Sequence, residues 1–133
     1  MKTLNKIFKL SLVVIIALNF SLLAKGNIVN KNLDNSEKSL LLALESNNLC
    51  LSVSSIQILG ELNSVSAVLP LLNILHNSEN VESRIAASLA LYKIGDKRGI
   101  FALKMRAKHD NSERVRKMCS NFYTQYKLEN KIT

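Results

Sequence analysis

The sequence predicts an all-α chain, a short solenoid of about three helical hairpins in which about six helices repeat roughly every 32 residues. Three observations carry this prediction. Apolar residues recur at intervals of three and four from Ser36 to about Lys127, the spacing that lines one face of an α-helix. The interruptions are short and built from Asn, Ser, Gly and Asp, residues that cap helices and turn the chain. Segments also fall into register on one another when the chain is shifted by 32 positions. No alternating strand pattern competes with these signals.

The first helix opens at Ser36 and Ser39, runs through Leu40, Leu41, Ala43 and Leu44, and stops at Ser46-Asn47-Asn48. The second carries Val53, Ile56, Leu59 and Leu62 and is broken by Asn63-Ser64. The third holds Val68, Leu71, Leu72 and Leu75 and ends at His76-Asn77-Ser78. Pro70 lies near its start, where a missing N–H costs least. The fourth runs from Val81 to Ile94, the fifth from Arg98 to about Lys108, and the sixth from Ser112 to about Lys127.

The register at an offset of 32 is detailed. Val53 falls on Ile85, Leu59 on Leu91, Leu62 on Ile94, Val68 on Ile100, Leu69 on Phe101 and Leu71 on Leu103. Small residues fall on small ones, Ser54 and Ser55 on Ala86 and Ala87, and the turn Asn63-Ser64 falls on Gly95-Asp96. A second shift puts Arg84 on Arg116 and Ala87 on Cys119. A two-helix unit of this period buries its apolar face against its neighbours in a stack. Arg84, Gly95, Asp96 and Arg116 recur at repeat positions, so a structural role is expected of them. The two arginines are expected to bond backbone carbonyls or an acid such as Asp96 between neighbouring repeats. The small residues should let adjacent helices approach closely, and Phe122, Tyr123 and Tyr126 should close the last layer.

The stretch Val81 to Arg98 reads V-x-x-R-x-A-A-x-x-A-L-x-x-I-G-D-x-R. It resembles the HEAT-like repeats of the type also found in phycobilin lyases. The copy from Leu49 to Leu75 departs from it, with no Arg at Cys50 to Ser52 and Asn63-Ser64 in place of Gly-Asp. The copy after Glu113 keeps Val115-Arg116 but carries Cys119, Phe122 and Tyr123 where the pattern has Ala and Leu. The resemblance spans about residues 36–126. It implies a fold more than a function, because such repeats serve scaffolds, adaptors and a few enzymes. It also implies that the second helix of each pair, here about 36–46, 66–76 and 98–109, forms the partner-binding face. Asn73, His76, Met105 and Lys108 are the residues expected to touch a protein or peptide there.

Ahead of the repeats, Lys2, Lys6 and Lys9 precede an apolar run from Leu10 to Leu23, and Ala24-Lys25-Gly26 follows with small residues. Basic, apolar, small is the order of a secretory signal, and the run is short for a membrane span of about 20 residues. The expected organisation is a signal peptide over 1–26, a polar flexible leader over 27–35, the repeat domain over 36–128 and a tail over 129–133. Export to a periplasmic or extracellular space follows, with an uncleaved membrane anchor as the alternative.

The formal charge of +8 is unevenly spread. Residues 27–80 hold two lysines against five acids, and residues 81–133 hold twelve Lys and Arg against five acids. Such asymmetry is read first as an ordinary solvated face, with a patch for an anionic partner at the basic end as the alternative. Lys104, Arg106 and Lys108 on the fifth helix would supply it, binding an anionic lipid or a glycan. A secretory signal argues against nucleic acid. The oligomeric state is not legible.

No constellation for catalysis emerges, and no cofactor or metal is implied. His76 and His109 each end a second helix, one layer apart. Neighbouring helices lie about 8–10 Å apart, which separates the two imidazoles. Neither is followed by Glu, so the His-Glu pairs of the di-iron HEAT-like hydroxylases are absent. No Gly-rich phosphate loop, Gly-x-Ser-x-Gly elbow or Cys-x-x-Cys occurs. A lyase-like activity stands only as a remote alternative to a binding module. Cys50 and Cys119 lie two repeats apart, roughly 20 Å by the helix spacing, beyond the ~7 Å limit of a disulfide. Cys119 occupies a core position, whereas Cys50 is expected to be accessible.

Overall fold

The computed structural model describes residues 34–130, in which every regular element is helical. Helix α1 covers residues 34–43. It is followed by α2 (Leu49–Glu61), a 3-10 turn (Val65–Ala67), α3 (Val68–Asn77), α4 (Val81–Ile94), α5 (Lys97–His109) and α6 (Glu113–Glu129). From Glu37 onward the described chain forms one compact unit. Residues 34 and 35, assigned by sequence to the leader, are helical, and Glu129 extends α6 beyond the expected domain end. The signal peptide and the rest of the leader lie outside the described residues.

Side-chain caps set most of the helix starts. Asn48 accepts from the Leu51 N–H, Asn80 from the Ser83 N–H and Asp96 from the Arg98 N–H. Each satisfies one of the donors that a helix N-terminus leaves free. The Arg98 guanidinium also pairs with Asp96 at 2.9 Å and holds its carboxyl below the usual carboxylate range. Gly95 ends α4 at φ 70, the left-handed conformation that glycine enters without steric cost.

The helices form two rows. In the first row α2 packs on α4 and α4 packs on α6. The second row, α3 and α5, packs across onto the first, α3 against α4 and α5 against α6. Helix α4 touches α2, α3, α5 and α6. Its sequence, VESRIAASLALYKI, is accordingly apolar or small on nearly every side, as expected of a helix buried all round. Ile56, Leu59, Leu71, Leu75, Leu91 and Leu103 make up the bulk of the core.

The contact between layers differs in detail from the sequence expectation. Ser55 is buried, but Ser54 is exposed. The closest approach falls instead at Gly60, where an added Cβ would stand 2.8 Å from the Ala90 Cα. One layer on, Phe122 stacks on Tyr92 with ring centroids 5.6 Å apart, and a Cβ on Gly95 would lie 3.7 Å from the Tyr126 ring. These rings therefore fill the space between α4 and α6 rather than closing the outer end. The α2–α4 contact thus closes on Gly60 and Ala90, whereas aromatic rings fill the α4–α6 contact.

Candidate partner-binding face

Helices α3 and α5 present matching exposed stripes. On α3 the stripe is Leu69, Asn73 and His76, and on α5, 32 positions later, it is Phe101, Met105 and Lys108. Both stripes use intervals of four and then three, so each lies along one helix face. Leu69 and Phe101 are 64% and 63% exposed, a large solvent exposure for side chains of this kind. Lys104 is exposed at the position matching half-buried Leu72.

Between α1 and α3 lies a groove of about 710 Å³. Leu41, Leu42 and Leu44 line it from one side and Pro70 and Ile74 from the other, with Lys38, Glu45 and Asn73 as polar groups. An apolar cleft with a few polar groups is the usual form of a ligand or peptide site. Asn73 belongs to both this groove and the α3 stripe. The sequence reading missed Leu69, Phe101 and the five apolar lining residues. The available signal was the breadth of the apolar pattern on α3, where positions 68, 69, 71, 72, 74 and 75 are all apolar. That is wider than a single buried face can use.

Arg106 does not belong to the free surface. Its Nη2 donates to the His76 carbonyl at 2.9 Å and its Nη1 lies 3.6 Å from Asp110 Oδ2. It therefore joins α5 to the end of α3. The His76 ring bonds the Leu72 carbonyl through Nδ1 at 2.8 Å.

A second hollow, of about 380 Å³, opens at the ends of α3 and α5 and is lined by both His76 and His109. At its base Arg84 and Asp110 are paired at 3.0 Å and both are buried. Arg84 also donates to the carbonyls of Ser78 (2.8 Å) and Glu79 (3.2 Å) and to Asn111 Oδ1 (2.8 Å). Arg116 donates to the Asp110 carbonyl at 2.7 Å, the same bond as Arg84 to Ser78, one repeat later. In the first repeat Ser52, at the Arg84 position, donates instead to the Leu44 carbonyl at 3.1 Å. The acid that meets Arg84 is thus Asp110, not Asp96, which is occupied in capping α5. The physical reason is topological: Asp96 lies in the turn at the opposite end of α4 from Arg84's own turn. Among the described residues no group of three His, Cys, Asp or Glu is arranged to hold a metal.

Charges along the first row pair between layers, Glu61 with Lys93 at 3.6 Å and Glu82 with Arg114 at 2.6 Å. Such exposed pairs contribute only about 0–1 kcal/mol each. They do, however, consume basic charge. Of the nine Lys and Arg between Lys93 and Lys117, four (Lys93, Arg98, Arg106 and Arg114) are in ion pairs.

The two thiols occupy opposite environments. Cys50 is exposed, and Cys119 is buried against the core. Burial pushes the Cys119 thiol up to about 11, against the opposing effect of its hydrogen bond with Ser88. At about pH 8, near the pKa of a free thiol, a thiol reagent should label Cys50 promptly and Cys119 only after unfolding. Mass spectrometry of native and denatured protein counts the adducts. Because the folded state holds the Cys119 proton more tightly than the unfolded chain, this group's contribution to stability is complete below about pH 8.5 and is lost as pH rises toward about 11.

The HEAT-repeat family model matches residues 38–120, which span α1 through the first half of α6. No curated protein matches the chain significantly. With the two rows of helices, the register of 32 and the family match in agreement, the chain belongs to the HEAT-repeat family.

Proposed function

We propose that the chain is an exported, non-catalytic binding module that holds a protein or peptide partner on its second-helix face. The observation that carries this reading is the exposure of the apolar residues Leu69, Phe101 and Met105 on α3 and α5, together with the apolar groove between α1 and α3. Exposed apolar surface of this kind marks interaction sites on proteins. HEAT repeats commonly bind protein partners, which adds to the reading. Export rests on the order of residues 2–26 in the sequence.

The groove is favoured over the basic end for an anionic lipid or glycan because four basic side chains there are already in ion pairs. Salt separates the two. At about 0.5 M salt the Debye length falls to roughly 4 Å, so a contact made by charge is lost and an apolar one is kept. We expect a crosslinked partner recovered from the chain's own cells to persist at that salt. It should be lost on Phe101→Glu and weakened on Met105→Ala or Asn73→Ala, with the helical circular dichroism unchanged. Retention of the partner by Phe101→Glu would refute the second-helix face. Recovery of lipid or glycan that high salt removes would move the function to Lys104 and Lys108.

A further inference from the structure

We infer that the partner of the second-helix face is an acidic segment, one in which Asp or Glu is combined with large apolar side chains. The inference rests on the proposed function and adds the chemistry of the partner. It comes from how the charges are shared between the two rows. Of the nine Lys and Arg between Lys93 and Lys117, four are in ion pairs, and Arg116 is bonded to the Asp110 carbonyl. Lys117 lies on α6. The other three, Lys97, Lys104 and Lys108, are all exposed on α5. Among the described residues none of the three is in an ion pair. Their spacing of seven and four sets them on one stripe of the helix. Phe101 and Met105 stand among them, 63% and 39% exposed.

This surface holds no acid of its own, since neither α3 nor α5 contains Asp or Glu. In the register of 32, Lys97, Lys104 and Lys108 stand where the preceding repeat has Val65, Leu72 and His76. The positive charge therefore sits on positions that carry no acid or lysine one repeat earlier. Arg106, bonded to the His76 carbonyl at 2.9 Å, joins α5 to α3, and α3 exposes Leu69 and Asn73. Cations among apolar groups, with no carboxylate, attract a partner of the opposite sign and reject one of their own. The rest of the chain does not supply that complement. Residues 1–33 and 131–133 contain six lysines and no acid. In a second copy, Glu37 is taken by the hydroxyls of Ser64 and Ser66, and Glu61 and Glu82 by Lys93 and Arg114. A glycan would answer the lysines and not Phe101 or Met105, whereas an acidic, apolar segment answers both. Exposed ion pairs are individually weak, so the apolar side chains supply most of the affinity and the lysines select the sign of the partner.

The test selects peptides from a random display library on the immobilised protein, recovered from cells expressing residues 1–133, and sequences those retained. The wild type is expected to enrich peptides that carry both large apolar residues and Asp or Glu. Lys104→Glu/Lys108→Glu should turn the preference toward Lys and Arg, with the helical circular dichroism unchanged. The same variant should weaken an acidic peptide chosen by the wild type roughly tenfold. Phe101→Ala should retain neither set. Peptides without excess acid, or a preference indifferent to the charge reversal, overturn the inference. If those peptides are lost on Phe101→Ala, the second-helix face itself still stands. Acidic peptides held equally by Phe101→Ala also overturn it, since charge alone would then bind. If nothing is enriched, no short acidic segment fits and the inference falls, while the crosslinked partner decides the proposed function separately. Capture of the free chain by itself, or of phosphatidylserine vesicles, lost in either case on Lys104→Glu/Lys108→Glu, would give the lysines to a second copy or to a lipid surface instead.

Discussion

Replacing Asp110 with alanine is expected to destabilise the fold by about 3–5 kcal/mol, the cost of removing one partner from a buried ion pair. The carboxylate is 3% exposed, and it joins the turn before α6 to Arg84 of α4. Without it Arg84 keeps its bonds to the Ser78 and Glu79 carbonyls but retains a buried positive charge with no counter-charge at hydrogen-bond distance. The Ser112 N–H, which Asp110 Oδ1 accepts at 2.9 Å, also loses its partner at the start of α6. A urea titration followed by circular dichroism measures the loss. The double variant Arg84→Met/Asp110→Leu should recover much of it, because removing both charges leaves none uncompensated. A double variant as unstable as Asp110→Ala would mean that the backbone bonds of Arg84, rather than the charge pair, join the layers.

Gly60→Leu is expected to lower stability by about 3 kcal/mol, the upper part of the range for overpacking a core. Leucine suits a helix better than glycine by roughly 0.8 kcal/mol, so local propensity alone predicts the opposite sign. The contact decides it. A Cβ at position 60 would stand 2.8 Å from the Cα and 2.9 Å from the Cβ of Ala90. The nearer atom is backbone and cannot rotate away, so α2 and α4 must separate. Their separation would loosen Ile56 and Leu59, both fully buried. Scanning thermal unfolding should show a fall in Tm of order 10 °C or more, at about 4–8 °C per kcal/mol for a domain of this size. Ala90→Gly in the same background should restore only part of it, since it clears the Cβ and leaves the Cα. An unchanged Tm would show that the layers part without cost.

Much of this architecture was legible before any coordinates. The helical spacing, the Asn and Asp caps and the shift of 32 are local or periodic signals, and each survives folding unchanged. Asn80 and Asp96 illustrate why: a cap acts on N–H groups two or three residues away, so its effect is written within a few positions. Gly95 is similar, because its left-handed φ is required by the turn itself. The environments of Cys119 and Cys50 follow from periodicity in the same way.

The candidate site was less legible. Lys104, Met105, Arg106 and Lys108 form one basic cluster in the sequence, yet the fold turns Arg106 between layers and leaves Lys104 and Lys108 outside. Neither the groove between α1 and α3 nor the exposure of Phe101 is stated by any single helix, because both depend on how far apart two helices stand.

The sequence by itself determined that this protein is a short stack of helical hairpins, roughly where its helices lie, and which positions repeat. Tertiary structure alone decided that Arg84 meets Asp110 rather than Asp96 and that Gly60 rather than Ser54 sets the layer spacing. The division has one physical cause. Periodicity and capping act over one or two turns of chain, whereas the partner of a buried charge or a close-packed Cβ lies about thirty residues away and is chosen by the geometry of packing.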